Sequence, residues 1–295
     1  MGNKKRIVAY WSNRSEWGLL EPILKRLSEH FEVIPFSIEC LNTSELGNIY
    51  KSSYAFLSRC KPDLVITPFD RHEQIFVALA ARMLNLKVAQ IHAGDISRKG
   101  CWDDQVRHMI SLCCDYLFCN TEESAERARN LVELVGSDAK VFVVGSTAFD
   151  DIEVDESLAL KALFDLVVYH PPTRRPDLIE GELDQIESLL DKPAIWIGPS
   201  GDPKSDLIVK RIGEIERKHH GITFYPDLPR PKFLGLLKRC SRAIGNSSSF
   251  FCELPFFGKQ HIHIGVRNKG REIVKVRTGG SDRIAEILRE ELEAT

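Results

Sequence analysis

In the first half of the chain, acidic, basic and imidazole side chains follow the apolar segments in sequence. They are Asp70, His92, Asp95, Asp103, Asp104, Arg107 and His108. Carboxylates and imidazoles that share a pocket can take a proton from a substrate and return it, which is general acid–base chemistry. In the segment 101–110, helical spacing places Asp103 and Arg107 on one face. The alternative is a capped helix in which these two residues form an internal ion pair.

Two pairs of residues have spacings that a metal ion can use, His92 with Asp95 and His261 with His263. A bound transition metal usually needs at least three protein ligands. No third ligand stands at a suitable spacing from either pair. The sequence therefore predicts no metal site.

A segment rich in glycine and serine, GNSSS at residues 245–249, follows a short apolar run in the second half. Gly245 permits a tight turn, and the N–H groups of a helix start, with Ser247 and Ser248, can bind phosphate oxygens. Glu253 lies one helical turn further on, where it can bond the vicinal hydroxyls of a ribose. The alternative is a serine that only caps the helix, with Glu253 in solvent.

Arginines at the ends of apolar segments favour the phosphate interpretation. Arg14, Arg267 and Arg271 each follow such a segment. A guanidinium group can donate two parallel hydrogen bonds to phosphate oxygens. These residues indicate an anionic ligand such as a nucleoside diphosphate.

Short apolar segments rich in β-branched and aromatic residues have the pattern of strands buried on both faces. They are residues 6–11, 31–37, 63–69, 87–93, 115–120, 140–145, 165–170, 194–198, 222–226, 242–246 and 261–265. Helical segments alternate with them, for example 15–30, 72–86 and 122–136. This alternation predicts a parallel α/β architecture, in which ligands bind beyond the carboxyl ends of the strands.

An acidic segment without a strand, residues 148–162, separates two runs of alternating elements. We therefore predict an α/β fold of two doubly wound, Rossmann-like parallel-sheet domains that face each other across a cleft. The predicted first domain, residues 1–155, carries the catalytic acids, and the second, residues 156–295, carries the phosphate site. The last predicted helix, residues 282–295, can pack back on the first domain.

Composition excludes several classes of protein. The 295 residues include 40 Lys and Arg and 42 Asp and Glu, a formal charge of −2 at pH 7. Such a balance gives no long-range field that attracts nucleic acid or an anionic membrane. No apolar run reaches the roughly 18 residues of a membrane span, and the first residues lack a signal-peptide pattern. The eight cysteines include no CxxC pair, which is typical of reduced thiols in a cytoplasmic protein.

Taken in order, these motifs resemble the UDP-N-acetylglucosamine 2-epimerases, a family with the two-domain GT-B fold. The resembling segments are 12–20, 69–74, 92–108, 121–128, 144–151, 169–173, 200–206, 228–240, 244–254 and 264–272. The most specific signatures are DDxxRH at 103–108, and GNSS followed by a glutamate and IGxRxxGR. The IHxG form at 91–94, together with Asp103 and Asp104, looks closer to the hydrolysing, sialic-acid-pathway branch and its diacetamido-sugar relatives.

The resemblance implies that UDP is eliminated across C1–C2 of the sugar to give a 2-acetamidoglucal. In the hydrolysing branch water then adds at C1, giving N-acetylmannosamine and UDP; in the non-hydrolysing branch UDP returns with C2 inverted. A UDP-diacetamido sugar is a further possible substrate. The catalytic residues implied are Asp70, His92, Asp103, Asp104, Arg107 and His170. The UDP-sugar contacts implied are Arg14, Arg71, Asn246, Ser247, Ser248, Glu253, Arg267 and Arg271.

The resemblance further implies that no metal or organic cofactor is needed and that the chain forms a homo-oligomer, a dimer or a tetramer. Two other classes of protein remain open at this point. A GT-B glycosyltransferase would share the nucleotide site but would not need the acids of the first half. A nucleotide-sugar-binding protein without activity would tolerate their loss.

Overall fold

A computed structural model describes residues 4–38, 46–97, 102–199, 201–271 and 277–294. The chain divides into two compact units. The first unit comprises Met1–Ile96, Asp103–Asp151 and Val276–Thr295, and the second comprises Ser97–Trp102 and Ile152–Lys275.

The first half of the chain alternates strands and helices. Its elements are β1 (Arg6–Tyr10), α1 (Arg14–Leu27), β2 (Glu32–Phe36), α2 (Leu46–Cys60), β3 (Leu64–Pro68), α3 (His72–Met83), β4 (Lys87–Ile91), α4 (Asp103–Ser111), β5 (Tyr116–Cys119), α5 (Glu122–Leu134) and β6 (Lys140–Val143). All strand pairs are parallel, and the described strands follow the order β2-β1-β3-β4-β5-β6.

The second half repeats this alternation. Its elements are β7 (Asp165–Val168), α6 (Ile179–Leu189), β8 (Ala194–Ile197), α7 (Ser205–Lys218), β9 (Ile222–Tyr225), α8 (Arg230–Arg239), β10 (Arg242–Gly245), α9 (Ser249–Cys252), β11 (Gln260–His263) and α10 (Gly280–Glu293). The described strands form a second parallel sheet in the order β11-β10-β7-β8-β9.

Each sheet has a place where the strand order reverses. In the first unit the chain leaves β1 for β2 on one side, and then for β3 on the other. In the second unit it runs from β7 to β9 on one side and then returns to β10 on the other. The helices on either side of such a reversal diverge, which opens a crevice at the carboxyl ends of the strands where ligands bind.

The cores follow from alternation along buried strands. In β1, Ile7 and Ala9 face one layer, and Val8 and Tyr10 face the other. The first layer includes Leu20, Ile23 and Leu27 of α1 together with Ile284, Leu288 and Leu292 of α10. The last helix is thus part of the core of the first unit.

The predicted α/β fold with two doubly wound parallel sheets is confirmed. Each apolar segment predicted as a strand contains one, although every strand ends one or two residues early. Two of these ends have a clear cause, because Phe69 and His92 adopt left-handed φ angles of 64° and 60°. That conformation cannot continue a strand.

Candidate functional site

We call one region the first-unit edge. It consists of the loops that follow the carboxyl ends of the strands in the first sheet, together with the first turns of α1, α3 and α4. At its centre, the guanidinium group of Arg107 on α4 donates a hydrogen bond to the Asp70 carboxylate, which follows β3. Nη1 of Arg107 also lies 3.9 Å from Oδ1 of Asp104. The pair joins two elements that the sequence separates by 37 residues.

Arg107 is buried, with 4% of its surface exposed. Burial alone would lower the pKa of Arg107, but Asp70 and three further aspartates together raise it above its ordinary value. Its Nε and Nη1 atoms have no hydrogen-bond partner among the described residues. A buried cation with free donors, held between carboxylates, is suited to orient acids and to meet an incoming polar group.

The first turn of α4 brings the remaining predicted acids to the same cation. Asp103 and Asp104 both act on Arg107 electrostatically. The pKa of His108 on this helix is lowered by burial and by the adjacent Arg107 charge. The structure therefore gathers Asp70, Asp103 and Asp104 around one guanidinium group.

His92 directly follows β4, which is the strand next to β3 in the sheet. Its ring meets the Phe69 ring edge to face, with the ring centres 4.7 Å apart, and its Nε2 lies 3.4 Å from the Thr147 hydroxyl. Its Nδ1 is 4.0 Å from Oδ2 of Asp95. Oδ2 of Asp95 accepts a hydrogen bond from Asn120, and Oδ1 accepts one from Ser124. Two neighbouring bulky residues with positive φ are rare, and such backbone conformations cluster at functional sites.

A second buried polar cluster lies at the first-unit edge beside β1 and β3. Arg71 donates to both carboxylate oxygens of Glu73, at 2.9 and 3.2 Å. Glu16 of α1 accepts from Gln74 of α3. We did not predict Glu16, Glu73 or Gln74 as site residues, although all three occupy first helical turns after adjacent strands. Arg14 begins α1, but its side chain lies outside the described part of the structure.

The loops after β7, β10 and β11 form the corresponding region of the second unit, called the second-unit edge. Here the side chain of Asn246 accepts from the backbone N–H of His170 and donates to its carbonyl oxygen, both at 2.8 Å. Gly245 makes this approach possible, since a Cβ at that position would lie 2.0 Å from the Val168 oxygen. Asn246 is fully buried, so its amide fixes His170.

The loop after β11 carries two predicted arginines. Arg267 donates to the carbonyl oxygen of Pro171 at 3.0 Å and to Asp202 at 3.1 Å. Arg271 donates to the Asn268 side chain at 3.1 Å, and Asn268 in turn donates to the Asn246 carbonyl at 2.8 Å. Asn268, which the sequence did not single out, therefore connects two of the three loops.

Glu182 of α6 braces the same loop from behind. Its carboxylate accepts from the Tyr169 hydroxyl at 2.6 Å and from the Val266 N–H at 3.0 Å. Gly265 leaves room for it, because a Cβ there would lie 2.1 Å from the Glu182 carboxyl carbon. We did not predict Glu182, because a glutamate within a helical segment gives no sign that its carboxylate is buried and hydrogen-bonded to a loop.

The serine segment and Glu253 complete the second-unit edge. The Ser247 and Ser249 hydroxyls are 2.8 Å apart, and Ser248 is exposed. The helix that follows is short, four residues, and continues into a 3₁₀ turn at Leu254–Phe257. Glu253 is buried, and its Oε1 is 2.6 Å from Nη1 of Arg230. The structure thus joins His170 to Asn246 by hydrogen bonds, and it places Arg267 and Arg271 on one loop. The serines and Glu253 flank one short helix of the same unit.

Among the described residues, no group of three or more His, Cys, Asp and Glu side chains is placed to hold a metal ion. In the same part of the chain, no helix combines the length and the apolar character that a membrane crossing requires.

Two doubly wound parallel sheets with polar strand ends define an α/β protein of the GT-B type. A family model described as UDP-N-acetylglucosamine 2-epimerase matches residues 42–294. This chain therefore belongs to the UDP-N-acetylglucosamine 2-epimerase family, and the prediction of an enzyme of this family is confirmed.

Named relatives agree with this assignment. UDP-N,N'-diacetylbacillosamine 2-epimerase (hydrolyzing) of Legionella pneumophila is 27% identical over 320 residues, 91% of this chain and 83% of that protein. GDP/UDP-N,N'-diacetylbacillosamine 2-epimerase (hydrolyzing) of Campylobacter jejuni is 28% identical over 228 residues, 72% of this chain and 58% of that protein. The predicted closeness to the hydrolysing branch is confirmed by these names.

A solved structure shares the fold. The S. aureus MnaA–UDP co-structure superposes with a TM-score of 0.73 at 18% identity, covering 98% of this chain and 89% of that chain. At this identity the likeness concerns the fold alone. The roles of individual residues are therefore argued from the geometry of the two edges.

Proposed function

We propose that this enzyme is a hydrolysing 2-epimerase of a UDP-2-acetamido sugar. The C2 proton and the UDP group leave together, which gives UDP and a 2-acetamidoglucal. Water then adds across the double bond, with its oxygen at C1 and a proton at C2 on the opposite face. The observation that carries this proposal is the buried Arg107, held between Asp70 and the aspartates of α4.

The elimination needs a base near C2, because no adjacent carbonyl acidifies that proton. We assign this work to the first-unit edge, where Asp70 and Asp103 are the first candidates and His92 and Asp104 the next. Carboxylates and imidazoles are the groups that most often carry such protons. Arg107 orients the acids, since its guanidinium group is bonded to Asp70 and lies close to Asp104.

The departure of UDP requires its negative charge to be stabilised. We assign this work to the second-unit edge, with Ser247, Ser248, Arg267 and Arg271 as donors and His170 as the acid that protonates the leaving oxygen. Asn246 supports this assignment, because its side chain holds the His170 backbone in place through two hydrogen bonds. Glu253 is proposed to bond the ribose, while Arg71 and Arg14 are proposed to contact the substrate from the first unit.

Turnover in deuterated water tests the proposed reaction. The protein is incubated with UDP-N-acetylglucosamine, and in parallel with a UDP-2,4-diacetamido sugar, and the anomeric protons are followed by NMR. Release of UDP with a free 2-epimeric sugar deuterated at C2 is the expected result. The diacetamido arm is included because both relatives described above are named for such a substrate.

Other products lead to different conclusions. An equilibrium mixture of two intact UDP-sugars, with deuterium at C2, would show that the enzyme catalyses the non-hydrolysing reaction instead of hydrolysis. If neither substrate exchanges C2 or releases UDP, the proposed reaction is wrong. Asp103→Ala should abolish turnover and leave UDP binding intact, whereas a glycosyltransferase would not depend on this aspartate.

We also propose that the enzyme works in the cytoplasm as a homo-oligomer, a dimer or a tetramer. Among the described residues six cysteines are free, three of them buried and three half-buried, and reduced thiols are typical of the cytoplasm. Leu79 and Met83 of α3, Met109 of the neighbouring α4 and Leu112 just after α4 are exposed, and apolar side chains grouped on a surface often mark an interface. Size-exclusion chromatography with light scattering measures the mass of the protein in solution. A monomeric mass would contradict the proposed oligomer.

A further inference from the structure

Glu16 is a buried carboxyl group at the first-unit edge that the reaction proposed above does not use. It lies in the first turn of α1 and is 4% exposed. Its Oε2 accepts two hydrogen bonds of 2.6 Å from Ser12, one from the backbone N–H and one from the hydroxyl. Glu16 therefore fixes the turn that follows β1.

Glu16 also reaches a second helix. The side-chain amide nitrogen of Gln74, in the first turn of α3, lies 3.3 Å from both carboxylate oxygens. Gln74 is fully buried, and its backbone N–H donates to the Arg71 carbonyl at 3.0 Å. The contact thus joins the turn after β1 to the start of α3, immediately after Asp70 and Arg71.

Helix capping accounts for only part of this arrangement. Glu16 stands three residues after the N-cap residue Asn13, whose side chain accepts the Glu16 N–H at 3.0 Å. A capping box returns the glutamate side chain to the N-cap N–H. Here the carboxylate reaches one residue further back, to Ser12, and across to Gln74 of another helix.

Two carboxylates, that of Glu16 and one neighbour, lie near a single guanidinium group. From α3 and the turn before it, the charged groups that act on Glu16 are Glu73 and Arg71, and His72 lies 3.5 Å from Glu73. Arg71 is committed to Glu73 through two hydrogen bonds. Burial is the main cause that raises the pKa of Glu16, to about 7, against the opposing effects of the Ser12 bonds and Arg71.

We propose that Glu16, when ionised, is a positioning residue that ties the turn after β1 to the first turn of α3 and so holds Asp70 and Arg71 for the substrate. The charged carboxylate accepts from Ser12 twice and from Gln74. A proton on Glu16 takes away an acceptor, so that one of these donors is released. The side-chain oxygen of Gln74, which has no hydrogen-bond partner among the described residues, is then available to accept from the new O–H.

This inference rests on the proposed function, and the pH dependence of kcat/KM for the UDP-sugar tests it. In the wild type we expect kcat/KM to rise through about pH 7 as Glu16 ionises. Glu16→Gln should lose this rise and remain roughly tenfold below the wild type at pH 8, mainly through a higher KM. The exposed Glu21 of the same helix offers the matched control Glu21→Gln, which should keep the wild-type profile.

A second variant tests the link without removing the carboxyl group. Ser12→Ala deletes one bond that favours the ionised form, so the midpoint of the pH profile should move upward. A residue that only caps α1 would not move a pH midpoint. If Glu16→Gln keeps the rise with an unchanged midpoint, or if Ser12→Ala leaves the midpoint in place, the proposal is overturned. Should Glu16→Gln fail to fold, the shift in Ser12→Ala decides.

The carboxyl titration can be followed without turnover. In protein with ¹³C-labelled glutamate carboxyl groups, the signal that disappears in Glu16→Gln should titrate near pH 7 and move upward in Ser12→Ala. If no UDP-sugar reacts but this titration is found, the proposed reaction fails while the Glu16 link is supported. If the signal titrates below pH 5.5 in the folded protein, Glu16 stays ionised near neutral pH, and the expected rise of kcat/KM through pH 7 is overturned even in an active enzyme.

Discussion

Replacing Glu16 by Gln should change how stability depends on pH. The pKa of Glu16 is raised from 4.5 to about 7 in the folded protein. The folded state therefore binds the proton more tightly than the unfolded chain, and the stability of the wild type falls as pH rises through this window. At about 1.4 kcal/mol per tenfold change in proton affinity, the loss is roughly 3 kcal/mol. Glutamine does not titrate, so the variant lacks this loss.

Urea unfolding followed by circular dichroism between pH 4.5 and pH 8 measures this difference. The free energy of unfolding of Glu16→Gln, minus that of the wild type, should grow by roughly 3 kcal/mol across the range. Hydrogen bonds lost by the amide shift both ends equally and leave the slope unchanged. Glu21→Gln should give a flat difference. A flat difference for Glu16→Gln as well would refute the reasoning, because Glu16 would then titrate alike in folded and unfolded protein.

Three further substitutions test other contacts. Arg107→Lys keeps a positive charge near Asp70 but loses the planar guanidinium group that also approaches Asp104. Turnover should fall about 100-fold, while the circular dichroism spectrum stays unchanged. The control Arg129→Lys, at an exposed arginine, should stay active. Asn246→Ala removes both bonds to the His170 backbone and should weaken UDP binding about tenfold in titration calorimetry, an effect absent from Gln185→Ala. Gly265→Ala forces a Cβ against Glu182 at a φ of 75° and should lower the free energy of unfolding by about 3 kcal/mol. Gly258→Ala, at a φ of 64° with open space, should cost only about 1 kcal/mol, and equal losses would contradict the steric argument.

The strands could be predicted because a parallel strand buried on both faces must be apolar along its whole length. Segments such as 63–69 and 87–93 show this directly. Their ends could not be predicted, since Phe69 and His92 are apolar or aromatic residues that nevertheless adopt left-handed backbone angles. Tertiary packing of the two rings against each other accompanies that conformation.

The polar residues of the two edges were predictable to the extent that they follow strands directly, as Asp70 and His170 do. The braces behind them were not. Glu16 and Gln74 are 58 residues apart, and Glu182 and Val266 are 84 apart. Such contacts depend on which helices the sheet order makes neighbours, and a single sequence contains no direct signal for that order.

The position of α10 in the core of the first unit determines when that unit can form during synthesis. Ile284, Leu288 and Leu292 cover the apolar face of α1, but residues 152–275 leave the ribosome before them. At 5–20 residues per second, these 124 residues take roughly 6–25 s. During that interval Leu20, Ile23 and Leu27 lack their partners on α10, while the second unit is already being synthesised. The first unit therefore gains the last helix of its core only after the residues of the second unit have been synthesised.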